Sequence, residues 1–201
     1  DRAAAERGET AAVHIKIDTG MGRVGVPFGH ISEFADRLAA LQNIEVEALM
    51  THFAAADDLA ENSFTARQTA QFDEVAAVFR DRGFRPAFVD LANSPGAIAH
   101  PRSRADMVRL GGVLYGLSGD VIPAGIEKPE LKPVLSLHTE IAQLKHVALG
   151  TSIGYGRTFV ATRESLIGTA PIGYGDGVRR GLAARGRAIV NGTVVPIVGR
   201  V

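Results

Sequence analysis

Val13-His14-Ile15-Lys16-Ile17-Asp18-Thr19-Gly20-Met21-Gly22-Arg23-Val24-Gly25 decides the fold class of this chain. Apolar β-branched residues alternate with polar ones over the first six positions, which predicts a strand, and a glycine cluster ends it. Ile31, Phe34, Leu38 and Leu41 then recur at helical spacing. The same unit repeats downstream. Ile44 to Met50 reads as a second strand ending in Thr51-His52, and Asn62-Ser63 as the cap of a helix carrying Phe72, Val75 and Phe79 that stops at Gly83. Phe88-Val89-Asp90-Leu91 reads as a third strand, followed by Asn93-Ser94-Pro95 and a short helix to His100. Met107 to Leu110 reads as a fourth strand, running into Gly111-Gly112. Strand–turn–helix units in series require a parallel sheet, either open or closed into a barrel. Both place their chemistry past the carboxyl ends of the strands. Those positions hold Gly20 to Gly25, His52, Asn93-Ser94 and Arg109 to Gly112. The short interval between the third and fourth strands fits a barrel better than a regular dinucleotide-binding half.

Composition narrows the function. The 201 residues include 22 Lys+Arg and 22 Asp+Glu, are 46% hydrophobic and contain no Cys. Such a chain builds a core without staples, and its balanced charge argues against a general nucleic-acid or membrane-surface binder. Without Cys there are no disulfides, thiolate metal sites or cysteine nucleophiles. No apolar run approaches a bilayer span and no signal peptide is evident, so a soluble cytoplasmic protein is expected. Position 1 is Asp, and Val194 to Val201 reads as a strand without a turn or polar tail, so the chain is expected to be an internal piece of a longer protein.

After about Asp120 the pattern changes. Pro123, Pro129 and Pro133 mark a linker, and Leu135, Leu137, Thr139 and Ile141 alternate with polar residues as in a half-exposed strand. Ala188-Ile189-Val190 and Thr193-Val194-Val195 flank Asn191-Gly192, the signature of a type I′ hairpin. The second part is therefore expected to be mostly antiparallel β.

Gly20-Met21-Gly22-Arg23-Val24-Gly25 also fits G-x-G-x-x-G, a dinucleotide-binding pattern. Three features oppose that use. Val26-Pro27 delays the helix, the end of the second strand is Thr51-His52 rather than an acid, and Arg23 puts a guanidinium inside the turn. His52 fits either a satisfied polar strand end or a functional group. Arg109, before two glycines in an apolar strand, must find an anion or an acceptor. Asn93-Ser94 with Gly111-Gly112 could offer phosphate donors. Tyr155 and Tyr174, each between glycines, fit either turn aromatics or rings held clear of the backbone. These features reach a phosphate- or carboxylate-binding barrel enzyme and no specific reaction.

Taken together and in order, the segments resemble those of bacterial alanine racemases. They are Lys16 to Gly25, Met50-Thr51-His52-Phe53-Ala54, Ala92-Asn93-Ser94, Val108-Arg109-Leu110-Gly111-Gly112-Val113-Leu114-Tyr115-Gly116, Ile153-Gly154-Tyr155-Gly156 and Gly173-Tyr174-Gly175-Asp176-Gly177. The resemblance implies the C-terminal part of a pyridoxal-phosphate-binding (β/α)8 barrel, residues 1–122, followed by the start of a mostly antiparallel β domain, residues 123–201. It implies a homodimer with active sites shared across the interface. The implied reaction interconverts L- and D-alanine by two-base proton exchange between a lysine and a tyrosine, supplying D-alanine for peptidoglycan. Arg109 matches the family's Arg facing the pyridine nitrogen, and Ser94, Gly111 and Gly112, with Asn93 beside them, match its phosphate contacts. Tyr155 matches a catalytic base that enters the partner subunit's active site. Because a phenol ionises at about 10, the family supports this base through a hydrogen-bonded chain matching Tyr155, His52 and Arg109. Arg23 matches a group near the substrate carboxylate. Lys16 matches a lysine carbamylated in some members, and a plain lysine fits equally. Tyr174 and Arg180 match the substrate entry side. Asp90 stands where the family commonly has His, and Gly112 where it has Ile. The lysines are Lys16, Lys128, Lys132 and Lys145, and none matches the one that carries the cofactor in the family. A racemase for serine or another amino acid, a non-catalytic pyridoxal-phosphate barrel and a nucleotide-binding domain are the alternatives.

Overall fold

A computed structural model describes residues 1–200. The chain forms two compact units, Asp1–Leu135 and Ser136–Val201. The first opens with a short helix α1 (Arg2–Arg7) and strand β1 (Ala11–Asp18). Strand β2 (Val26–Pro27), helix α2 (Ile31–Ala39), strand β3 (Ile44–Met50) and helix α3 (Asn62–Asp81) follow. Strand β4 (Phe88–Ala92), helix α4 (Ser94–Ala99) and strand β5 (Met107–Val108) complete the regular elements of this unit. The strands lie in the order β2-β1-β3-β4-β5, and every pairing is parallel.

The alternation in β1 sorts its two faces. Ile15 and Ile17 are buried and pack with Ile31, Ala35 and Leu38 of α2 and with Phe72, Val75 and Phe79 of α3. His14, Lys16 and Asp18 occupy the other face, the one facing away from this core. Each fully buried aliphatic or aromatic side chain contributes about 1.5–3 kcal/mol by leaving water. Packing both helices against one face leaves the polar face and the strand ends free for chemistry.

Several boundaries differ from the sequence expectation. Asn62-Ser63 does not cap α3; Asp58 instead caps the 3-10 turn that precedes it by accepting from Ala60 N. The fourth strand is only two residues long, and Arg109 N closes its parallel ladder by donating to Ala92 O. Leu41 lies beyond the end of α2.

In the second unit, β6 (Gln143–Val147) pairs antiparallel with β9 (Ser165–Thr169), and β7 (Ser152–Ile153) with β8 (Phe159–Val160). Strands β10 (Arg187–Val190) and β11 (Thr193–Pro196) form the expected hairpin. Asn191 and Gly192 have φ of 47° and 78°, the paired left-handed residues of a type I′ turn. The strand expected over Leu135 to Ile141 does not form. Its alternation has no partner ladder among the described residues, and the first backbone bond to β9 is made by Ala142 N to Thr169 O. Alternation predicts which face would be buried, and only a neighbouring strand makes it a strand.

Candidate active site

The carboxyl ends of β1, β3, β4 and β5 converge on Arg109. Its Nη1 donates to Asp90 Oδ2 at 2.7 Å, and its Nη2 donates to Thr51 O at 2.6 Å and to His52 Nδ1 at 3.2 Å. A guanidinium only donates, so His52 Nδ1 must present a lone pair. The imidazole is therefore neutral, with its proton on Nε2. Its pKa is lowered, first by burial and then by the positive charges of Arg109, Lys16 and Arg23. Lys16 is lowered by burial, Arg109 and Arg23, which outweigh Asp18 and Asp90. Four expected site residues, Lys16, Arg23, His52 and Arg109, thus share one electrostatic neighbourhood.

Counting N–H groups shows what Arg109 still offers. Of its five donors, one Nη1–H and both Nη2–H are committed, which leaves Nε–H and the second Nη1–H. About a quarter of the side chain, 27%, is exposed. The two free N–H groups diverge by about 120°, because Nη1 is cis to Cδ and the Nε–H lies on the Nη2 side, so an unprotonated ring nitrogen, which accepts but does not donate, suits one of them.

Beside it, Ser94 Oγ accepts from Gly111 N at 2.9 Å, which leaves the hydroxyl proton free to donate. Asn93 Oδ1 accepts from Gly96 N at 3.1 Å and one Nδ2–H donates to Phe53 O at 3.3 Å, which leaves the second Nδ2–H to donate. It shapes the turn that presents Ser94. A Cβ at Gly112 would stand 2.7 Å from Val121 Cγ2, so the isoleucine common in the family has no room here without movement of Val121.

The Gly20–Gly25 loop is not built as a phosphate nest. Gly20 N and Gly22 N both donate to Asp18 Oδ1, at 2.9 and 3.0 Å, and these bonds hold the Asp18 carboxyl below its ordinary range. The amides a pyrophosphate would need are already bound to an anion. Gly25, at φ 131°, lets β2 approach β1, since a Cβ there would meet Asp18 N at 2.8 Å.

Gln68 and Asp90 escaped the sequence reading as parts of the site. Gln68 is fully buried, donates to Thr19 Oγ1 and His52 O at 3.1 and 3.2 Å, and accepts from Ala54 N at 3.1 Å. Thr19 and Thr51 hydroxyls meet at 2.8 Å, and Thr51 donates onward to Ile17 O at 3.0 Å. This chain fixes the ends of β1 and β3 together and holds the backbone that carries His52. The signal was available: Thr65, Gln68, Phe72, Val75 and Phe79 recur at intervals of three and four, which puts Gln68 on the apolar face of α3.

In the second unit, Tyr155 opens a 3-10 turn between Gly154 and Gly156, at φ 77° and 71°, and its ring is 83% exposed. Tyr174 opens another and is likewise exposed; Arg180 begins a third. Among the described residues, none of these three side chains makes a hydrogen bond, and no metal-binding cluster occurs.

Comparison with known proteins places this arrangement. Residues 1–119 match the family model "Alanine racemase, N-terminal domain", and residues 134–201 match "Alanine racemase, C-terminal domain". The chain belongs to the alanine racemase family. An alanine racemase from Geobacter sulfurreducens is 40% identical over 205 residues, covering 100% of this chain and 53% of that protein. One from Syntrophobacter fumaroxidans is 42% identical over 195 residues, covering 96% and 50%. The chain thus spans about half the length of the curated relatives it matches. Among solved structures, the alanine racemase of Streptomyces lavendulae aligns with a TM-score of 0.88 at 30% identity, covering 99% of this chain and 53% of that one. That of Bartonella henselae, solved with covalently bound pyridoxal phosphate, aligns with a TM-score of 0.82 at 28% identity, again covering 99% and 53%. The parallel sheet is therefore part of a (β/α)8 barrel, and the second unit belongs to the β domain of this family. Among the described residues, no helix is long and apolar enough to cross a membrane.

Proposed function

We propose that this chain supplies the Arg109 half of the active site of a pyridoxal-phosphate-dependent alanine racemase, acting in the cytoplasm as a homodimer to provide D-alanine for peptidoglycan. In this reading residues 1–122 belong to the barrel and 123–201 to the β domain. The observation that carries it is the fork of Arg109, held at three points by Asp90, Thr51 and His52 with two N–H groups left over. Either donor alone fits the pyridine nitrogen, and the free Ser94 hydroxyl with the Gly111–Gly112 backbone fits the phosphate. The donor set therefore suits the cofactor.

Pyridoxal phosphate, when bound, supplies an electron sink that acidifies the α-C–H of an amino acid. An arginine cannot protonate the ring nitrogen, so Arg109 restrains that sink, which suits a reaction that must return the proton rather than divert it. His52, neutral and with its proton on Nε2, can donate outward to a phenolate. This supports Tyr155 as the base on one face of the substrate, reached from the second subunit. The opposite face calls for a lysine outside Lys16, Lys128, Lys132 and Lys145. Arg23 suits the substrate carboxylate, Lys16 would pair with Arg23 once carbamylated and as a plain lysine is structural, and Tyr174 and Arg180 line the approach.

The test is Tyr155→Phe in the full-length protein. Racemisation should fall by about 10²–10⁴-fold, the usual worth of a positioned acid–base group, with cofactor binding retained. Unchanged turnover overturns the role of Tyr155. A substrate panel decides between alanine and serine.

A further inference from the structure

Among the described residues, Asp90 is the one charged side chain paired with Arg109, and three features set it apart. Its side chain is fully inaccessible, its Oδ2 accepts from Arg109 Nη1 at 2.7 Å, and its Oδ1 has no hydrogen-bond partner. A buried carboxylate oxygen without a donor is costly, and a structure retains one where another demand sets the position. The register supplies that demand. Lys16, Met50 and Asp90 lie side by side across β1, β3 and β4, and β5 delivers Arg109 directly above. Nη1 on Asp90 and Nη2 on Thr51 O and His52 Nδ1 fix the fork together, and Asp90 is the anionic one of the three.

We propose that Asp90 is the positioning residue and counter-charge of Arg109: it sets the direction from which a free N–H of the guanidinium meets the cofactor ring and offsets the guanidinium charge that His52 and the ring would otherwise meet in full. The inference rests on the racemase reading for its catalytic consequence, but not for its effect on His52. A histidine at this position, common in the family, would be an uncharged acceptor and would leave the full arginine charge in place. Asp90 therefore gives this chain a more weakly polarising Arg109.

The charges that face the pair come from every neighbouring strand. Asp90 meets Arg109, His14 and Lys16, and His52 meets Arg109, Lys16 and Arg23. Asp18 lies on the same face of β1, and Glu47 accepts from His14 Nε2 at 3.0 Å. Burial pushes the Asp90 carboxyl up, and Arg109 pulls it back towards ionisation. Loss of Asp90's charge leaves Arg109 unopposed, and His52 should then protonate at lower pH than in the parent.

The experiment compares Asp90→Asn and Asp90→His in the full-length holoenzyme. It follows the His52 titration by NMR of ring-labelled histidine, alongside kcat, KM for alanine and cofactor affinity. With Asp90→Asn, cofactor affinity should hold and kcat should fall about tenfold, the equivalent of one charge-assisted hydrogen bond, with the His52 midpoint moved down. Asp90→His, which like Asp90→Asn offers an uncharged acceptor, should share the loss of kcat and keep the lowered His52 midpoint. Native kcat with an unmoved midpoint overturns the proposal. So does a loss confined to cofactor content, with native kcat per bound cofactor, because that is a merely structural role. If neither variant folds, carboxyl-labelled aspartate in the parent decides: Asp90 must be ionised at neutral pH, and a protonated Asp90 overturns the proposal. A parent that binds cofactor and shows the His52 shift on substitution, but racemises nothing, contradicts only the racemase reading.

Discussion

The two units solve opposite problems. In Asp1–Leu135, Asp18, Thr51, Ser94 and Arg109 are tied into hydrogen bonds at the strand ends, over a core of Ile15, Ile17, Leu49, Phe72 and Phe79. Among the described residues of Ser136–Val201, the buried apolar ones are Val147 and Ala161, while Leu144, Ile189, Tyr155 and Tyr174 stand exposed. The first unit holds its functional groups by internal contacts. The second presents its tyrosines on glycine-flanked turns with nothing of their own to hold them. The proposed cofactor cradle calls for donors fixed by such contacts.

Core substitutions are the strongest way to break that contrast. In the 201-residue chain, Phe79→Ala should destabilise the first unit by about 3–5 kcal/mol, while Ile189→Ala, at an exposed hairpin position, should stay within about 0.5 kcal/mol. Denaturant melts of the two variants check this. Comparable losses would show that the second unit has a core of equal weight.

Gln68→Leu comes next. It leaves Ala54 N and His52 O without their buried partner, and should cost about 1–3 kcal/mol despite the gain in apolar area. Its specific signature is loss of hydrogen-exchange protection at Ala54, and retained protection would contradict the clamp. Gly192→Ala follows at about 1 kcal/mol, because φ of 78° strains any other residue. The readout is amide protection along β10 and β11, with β6 and β9 unaffected.

The smallest effect concerns Asp18. Its carboxyl pKa is depressed by the Gly22 and Gly20 amides below the ordinary value of 3.8. A depressed carboxyl contributes stability that is present above its unfolded pKa and lost as pH falls through the folded one. Acid titration of the parent should therefore lose stability below about pH 4, and Asp18→Asn should flatten that slope. An unchanged slope would show that the loop amides are satisfied elsewhere.

The strands and turns of this fold were legible where local signals suffice. Ile44–Met50 and the Asn191-Gly192 hairpin stand where alternation and turn chemistry put them. The region from Leu135 to Ile141 shows the limit, since alternation without a partner does not make a ladder. The candidate site was legible as residue types at strand ends, and its family pattern supplied the roles. What stayed hidden was who holds whom. Gln68 reads as an ordinary polar residue of a helix until its burial is known, and Asp90 reads as a departure from the family until its contact with Arg109 appears. Both depend on register between distant strands, which one-dimensional spacing does not encode.

The central claim is that these strand ends form part of a racemase centre, and α-proton exchange tests it most directly. The full-length protein, with pyridoxal phosphate, is incubated with L-alanine and separately with D-alanine in deuterium oxide and followed by proton NMR. The account predicts loss of the α-proton signal from both enantiomers with convergence to a racemic mixture, and Tyr155→Phe should suppress exchange. Tight cofactor binding without α-proton exchange from either enantiomer would contradict it and leave a non-catalytic cofactor-binding barrel.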